Sequence, residues 1–277
     1  YFMNKYILHN QDLLSREEFT LQIDNRSFLY SDGFFETIKV MNFKCFNFSY
    51  HYKRIENSCN LFKLDFNISE TNLNNLLDKL AEENNVIGGR IRVVFFRDSG
   101  GKYLPLNNSS SFVAEIESGE NNFSFNENGL EIGLYTRIKK GINPLSNCKS
   151  TSATISVFAS MYAKENNLDD CLIINSNNNI IQSSNSNLFI VKDDSIITPS
   201  ILDACVLGTM RSFIVQNFEV QEKSITEHEL LVADELFLTN AIQGVRWVEK
   251  LMEKKYQSHK IAKLVFDKLN LETHLQS

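Results

Sequence analysis

Few residues of this chain are arranged to hold a metal or a covalent staple. The five cysteines, Cys45, Cys59, Cys148, Cys171 and Cys205, are odd in number, widely scattered and without a CxxC pair. Neither a zinc site nor a disulfide framework is suggested, and reduced thiols fit best. The five histidines are also dispersed and show no HExxH spacing, so no metal is expected. Basic residues are in deficit, 28 Lys and Arg against 34 Asp and Glu, for a net charge of −6. That balance argues against a nucleic-acid partner, which needs clustered positive charge. No apolar run approaches the roughly 20 residues of a membrane span. The opening "YFMNKYILHN" has neither the apolar core nor the small-residue cleavage site of a signal peptide. The expectation is a cytoplasmic chain that engages neither nucleic acid nor membrane. Only three prolines beside many asparagines reflect genome base composition rather than function.

What is present is an ordinary globular composition: 277 residues, 43% hydrophobic and 22% charged, enough for one large or two medium domains. Strand-like and helix-like segments alternate throughout. Residues 36–48 read as two strands about a Met41-Asn42 turn, and 49–62 as a helix with Ser49 as its N-cap. Ser69 caps a second helix whose Leu73, Leu76, Leu77 and Leu80 form one stripe. Strands at 90–97 and 111–117 follow, joined through Gly100-Gly101. The stretch "SGENNFSFNENG" is polar and aperiodic, and marks a boundary between two α/β halves. This gives an N-terminal domain over 1–118, a linker over 119–129 and a C-terminal domain over 130–277. The second half reads as a strand at 130–138, a helix at 152–166, and strands near 171–175 and 188–192. A helix at 207–218, a strand at 235–239 and a helix at 259–270 complete it.

Several residues could carry chemistry. Lys149 precedes a helix whose small and apolar residues imply burial. It is either a snorkelling surface lysine or a desolvated amine of the kind that forms Schiff bases. Gly208 and Thr209 open a helix whose unpaired N–H groups could seat a phosphate. "DELFLTNAIQGV" (234–245) gives a buried strand ending in a Thr239-Asn240-Ala241 turn that could add donors, and Arg54 could bring a counter-charge. "NNIIQSSNSNLFIV" (178–191) is two strand-like pieces around a turn more polar than a turn requires.

Together, "RSFLYSDGFFETIKV" (26–40), "HYKRIENSCNLF" (51–62), Lys149, "IIQSSNSNLF" (180–189), "VLGTMR" (206–211) and "DELFLTNAIQGV" (234–245) closely resemble the class IV aminotransferases. These are the fold-type IV pyridoxal phosphate enzymes: branched-chain and D-amino-acid aminotransferases and aminodeoxychorismate lyase. The resemblance implies a two-domain α/β (α+β) architecture with the active site between the domains, and a homodimer. It makes Lys149 the Schiff-base lysine and proton shuttle. Arg54, in an H-x-x-R pattern with His51, would bind the cofactor phosphate, helped by backbone amides of Thr209 and Met210. Asn240 and Ala241 match the second phosphate loop, although Ala241 lacks the hydroxyl many members have. Tyr30 matches an active-site tyrosine. Gln182 stands where the family motif has the glutamate that faces the pyridine nitrogen.

The implied activity is transfer of an amino group between an amino acid and a 2-keto acid. Arg92 and Lys102 are candidates for the substrate carboxylate, or else solvated charges. "CVLGTMR" and "FLTNAI" resemble the lyase-like members, whereas Glu36 resembles the transaminases. Pyruvate elimination, giving 4-aminobenzoate, is therefore the alternative. A pyridoxal-phosphate-binding protein with weak catalysis is a third reading, supported by Gln182 alone.

Overall fold

The computed structural model describes residues 5–276, and the chain forms two compact units. The division falls between Asn122 and Phe123, within the polar stretch. The short segment Lys149–Ser152 groups with the first unit rather than with the chain on either side of it. No helix among the described residues is long and apolar enough to cross a membrane.

The first unit contains β1 (Tyr6–His9), β2 (Asp12–Ser15), α1 (Arg26–Tyr30), β3 (Gly33–Met41) and β4 (Lys44–Cys45). It continues through α2 (Phe48–Phe62), α3 (Glu70–Glu83), β5 (Gly88–Arg97) and β6 (Ser110–Ser118). The strands make one sheet in the order β2-β1-β6-β5-β3-β4, with every pairing antiparallel. Strand alternation divides its side chains between two faces. Phe34, Glu36 and Ile38 lie on one face with Val93 and Phe95, buried beneath α2 and α3. Phe35 and Thr37 lie on the other, beside Val94 and Arg92. Ile55, Leu73, Leu77 and Leu80 are fully buried in the core, while Leu76 of the α3 stripe is half-buried. Gly33 is required by space, because a Cβ there would meet the Phe95 carbonyl oxygen at 2.3 Å.

Two local expectations are corrected. The hairpin after β3 turns at Asn42 and Phe43, both left-handed, so the bend falls one residue later than the Met41-Asn42 reading. Helix α2 starts at Phe48 behind Asn47, whose backbone is left-handed and whose side chain makes no capping bond, so Ser49 is not the N-cap. Ser69 does cap α3, accepting from the Asn72 amide.

The second unit contains β7 (Leu130–Lys140), α4 (Thr154–Glu165), β8 (Asp170–Asn175), β9 (Ile180–Ser183) and β10 (Asn187–Lys192). After β11 (Ser195–Pro199) come a single 3-10 turn (Ile201–Asp203), α5 (Thr209–Asn217), β12 (Val220–Lys223) and α6 (Glu227–Val232). The chain ends with β13 (Glu235–Asn240), β14 (Gly244–Leu251), β15 (Lys254–Lys255) and α7 (Lys260–Gln276). The main path of the mixed sheet runs β12-β11-β10-β13-β14-β7-β8-β9. Strands β8, β10 and β13 carry near-continuous apolar runs because both of their faces are covered. One side packs Ile132, Leu172, Leu188 and Leu236, and the other packs Ile173 and Ile181 with Ala159 and Ala163 of α4.

Helix α4 departs from the expected burial. Only its small residues Ala159 and Ala163 are buried, whereas Val157, Phe158 and Met161 are 43–54% exposed. Its small-residue stripe packs on the sheet, leaving the larger apolar side chains on the outer face of this single chain.

Candidate active site

The chemistry-bearing residues fall into a cluster within each unit. In the first, backbone pairing places Lys149. The Phe35 amide donates to the Lys149 carbonyl at 3.0 Å, and the Thr151 amide donates to the Gly33 carbonyl at 3.1 Å. Ser150 thereby stands opposite Phe34 in an antiparallel bridge, so Lys149 shares the sheet face of Phe35. Its Nζ sits 4.5 Å from the centre of the Phe35 ring. The Arg92 guanidinium carbon lies at the same distance from that ring. An aromatic ring attracts each cation through its quadrupole, by about 0.5–1 kcal/mol at exposed sites. Arg92 also lines a cavity of about 320 Å³ with Arg16, Phe19 and Glu115.

On the opposite sheet face, Glu36 is 1% exposed. Arg54 donates to it through Nε at 2.7 Å and through Nη2 at 2.6 Å. His51 Nδ1 stands 2.7 Å from the same carboxylate. Burial pushes the Glu36 carboxyl pKa up, but the Arg54 charge and fork, with the His51 hydrogen bond, bring it down to about 2. Burial, with the nearby Arg54 and Lys149 charges, lowers the His51 pKa more than Glu36 raises it. His51 is therefore a neutral ring donating from Nδ1 to an ionised carboxylate. The arrangement fixes the plane of Arg54.

Tyr30 and Lys102 belong to a different part of this unit. Arg26 and Arg97 both donate to Asp32, and Arg26 also holds the Gly100 and Lys102 carbonyls. Tyr30 lies against the Arg26 guanidinium and beside Tyr103. Of the two carboxylate candidates, Arg92 is the one that shares a ring with Lys149, while Lys102 is tied by its backbone to Arg26.

The second unit explains the polar stretch at 182–187. Gln182 Oε1 accepts from the Val206 amide at 2.9 Å, while Asn187 Nδ2 donates to the Val206 carbonyl at 2.7 Å. One peptide residue is thus gripped at both ends, which fixes the chain leading into α5. Gly208, the N-cap of α5, passes so close to Asn187 that a Cβ would meet Oδ1 at 1.8 Å. No side chain caps this helix, and Thr209 and Met210 form its first turn. Asn240 stabilises the following turn instead of opening it: its Oδ1 accepts from the Ile242 and Gln243 amides. Its Nδ2 donates to Ser186 Oγ at 2.9 Å, and Ala241 lies within this turn.

Sequence reasoning passed over Phe35, Val206 and Lys140. Phe35 and Val206 act through ring position and backbone, and nothing in residue type marks them. Lys140 has its Nζ 3.5 Å from Gln182 Oε1, a neighbour brought by the pairing of β7, β8 and β9.

These residues fit a phosphorylated aldehyde cofactor: a lysine amine held by a β-bridge, a guanidinium fixed by a buried carboxylate, and a helix start closed to side chains by Gly208. The family model described as Amino-transferase class IV matches residues 33–251. Aminodeoxychorismate lyase of Vibrio harveyi is 27% identical over 236 residues, covering 80% of this chain and 84% of that protein. D-alanine aminotransferase of Staphylococcus aureus (strain N315) is 27% identical over 257 residues, covering 90% and 89%. The solved branched-chain amino acid aminotransferase of Escherichia coli shares the fold with a TM-score of 0.86 at 19% identity, covering 96% of this chain and 95% of that one.

The Glu36 cluster predicts a pH dependence. A carboxyl whose folded pKa is depressed adds stability that is complete above its ordinary value of 4.5 and lost as pH falls towards about 2. His51, also depressed, adds stability above its ordinary 6.5 that declines below it. Glu36→Ala should flatten the acid limb and, by stranding Arg54, cost about 3–5 kcal/mol at neutral pH. Urea unfolding of both proteins as a function of pH measures this. An unchanged acid limb would show that the carboxylate is not ionised in the fold.

Proposed function

The chain belongs to the amino-transferase class IV family, and within that family we propose that it is an aminotransferase, moving an amino group between an amino acid and a 2-keto acid. The family uses pyridoxal phosphate. The observation that carries the reading is the Lys149 amine and the Arg92 guanidinium on the half-buried Phe35 ring of one sheet face.

When bound, the cofactor supplies an electron-accepting ring that stabilises negative charge at the substrate α-carbon. Lys149 is the proposed covalent anchor and, once displaced by substrate, the base whose Nζ moves the proton at that carbon. Arg54, oriented by Glu36, holds the phosphate with the amides of Thr209 and Met210 and the Asn240–Ala241 turn. Arg92 orients the substrate carboxylate, and Tyr30 and Lys102 flank the substrate. Gln182 meets the pyridine nitrogen, where an amide donates a hydrogen bond but holds no proton by charge.

Cytoplasmic residence and a homodimer belong to the same reading. Phe28, Tyr103, Leu104 and Leu106 of the first unit are 68–90% exposed, large apolar side chains that a partner subunit would cover. Sedimentation at a single chain's mass would refute the dimer.

A second reading, pyruvate elimination by an aminodeoxychorismate lyase, is favoured by the match to the Vibrio harveyi enzyme of that name. Two measurements test the proposal. Borohydride reduction of the holoprotein and peptide mapping should find the pyridoxyl adduct on Lys149; an adduct on Lys139 or Lys140, or none, sinks that assignment. A panel of D- and L-amino acids with a keto acid acceptor should yield the exchanged amino acid. Pyruvate from aminodeoxychorismate, with no exchange across the panel, would establish the lyase instead.

A further inference from the structure

Gln182 departs from the glutamate of its family motif, and its surroundings show which way the amide is turned. The Val206 N–H donates to Oε1 at 2.9 Å, and the Lys140 Nζ lies 3.5 Å from the same oxygen. Both groups select the oxygen end of the amide. The nitrogen end approaches the Ser183 carbonyl at 3.4 Å. An amide NH2 carries two protons, and Ser183 is the sole acceptor for them among the described residues.

Lys140 is the last residue of β7, and its amine turns inward, donating to the Ser146 carbonyl at 2.7 Å. Among the described residues no carboxylate stands within ion-pair distance of it. Burial pulls its pKa down to about 8. The titratable groups that face it are the Cys205 and Cys148 thiols, which raise the value by less than burial lowers it. The Arg211, Glu222 and Asp203 charges act in turn on Cys205.

We propose that Lys140 is a positioning residue that acts through Gln182: with the Val206 amide it claims the carboxamide oxygen, so that Gln182 offers a bound pyridoxal phosphate only an N–H donor and the ring nitrogen is held unprotonated. This rests on the reading that Gln182 meets the ring nitrogen. A pyridine nitrogen facing a donor must keep its lone pair, since two donors cannot share a hydrogen bond. A glutamate at 182 would not restore a full charge partner, because Lys140 would compete with the ring nitrogen for the one carboxylate. Lys140 and Gln182 are a matched pair. The outcome is an active site with a weaker electron sink, suited to substrates whose own acidity eases loss of the α-proton.

The test uses holoprotein carrying pyridoxal phosphate isotopically labelled at the ring nitrogen, whose NMR shift separates protonated from unprotonated nitrogen. Wild type should show the unprotonated shift across the neutral range, and a pyridinium shift there overturns the proposal with no variant needed. Gln182→Glu should raise the nitrogen's proton affinity only in part. Adding Lys140→Met to that variant should raise it by a further factor of about ten or more, as loss of a neighbouring cation does. Lys140→Arg in the same background should return the titration to that of Gln182→Glu alone. If the Gln182→Glu titration is indifferent to Lys140→Met, Lys140 does not act through position 182. If no substitution at 182 moves the ring nitrogen at all, the underlying placement of Gln182 fails instead.

Discussion

An ionised carboxylate 1% exposed to solvent is the constraint on which the first unit turns. Glu36 cannot sit in the core uncompensated, because removing its hydration costs several kcal/mol by itself. The compensation comes from α2, which must present both His51 and Arg54 to the underside of β3. Those residues are three apart on the helix, so they project from one face. The requirement fixes the rotation of α2 about its axis and its height along β3. Because β3 also carries Phe35 and pairs with the Lys149 segment, the placement of the Lys149 amine and of the Arg54 guanidinium is referred to one strand. Alternation puts Glu36 below the sheet and Phe35 above it.

The second unit solves a similar problem with neutral groups. Val206 is gripped by Gln182 at its N–H and by Asn187 at its C=O. Each bond contributes only about 1 kcal/mol net, yet together they fix a peptide plane in the chain entering α5. Gly208 then passes Asn187 at a distance no side chain tolerates. The result is a helix start whose first turn is set by side chains five positions apart on β9 and β10. A substitution at 182 therefore touches two things at once: the position of α5 and whatever group Gln182 meets.

The composition of the clusters differs in a way that bears on chemistry. In the first unit the cations Arg54 and Arg92 are each given a partner, a carboxylate in one case and an aromatic ring in the other. In the second unit the oxygens beside the Lys140 amine are those of a backbone carbonyl and an amide, and burial pulls its pKa down. A buried lysine without a carboxylate is tolerated because it can lose its proton at modest cost. That same property makes it a sensitive neighbour for Gln182.

Much of this was legible in the sequence. The leucine stripe of α3, the paired strands on either side of Gly100-Gly101 and the family motifs all depend on local periodicity or on residue identity. Periodicity survives in the primary order because each element buries one face, and the motifs survive because they are contiguous. The N-cap of α2 and the hairpin bend were misplaced by one or two residues, since left-handed asparagines at 42 and 47 take conformations that composition does not specify. The exposure of Val157, Phe158 and Met161 was not legible either, because an apolar helix reads the same whether or not something covers its outer face. What only tertiary structure decided is the company each group keeps: Glu36 beneath Arg54, Arg92 and Lys149 on one ring, Lys140 beside Gln182. Those neighbours are separated by 18 to more than 100 positions along the chain and meet through strand pairing and helix packing. The strength of an amine, a carboxyl or an amide is set by its neighbours and by the water it has lost, and neither is written in residue order.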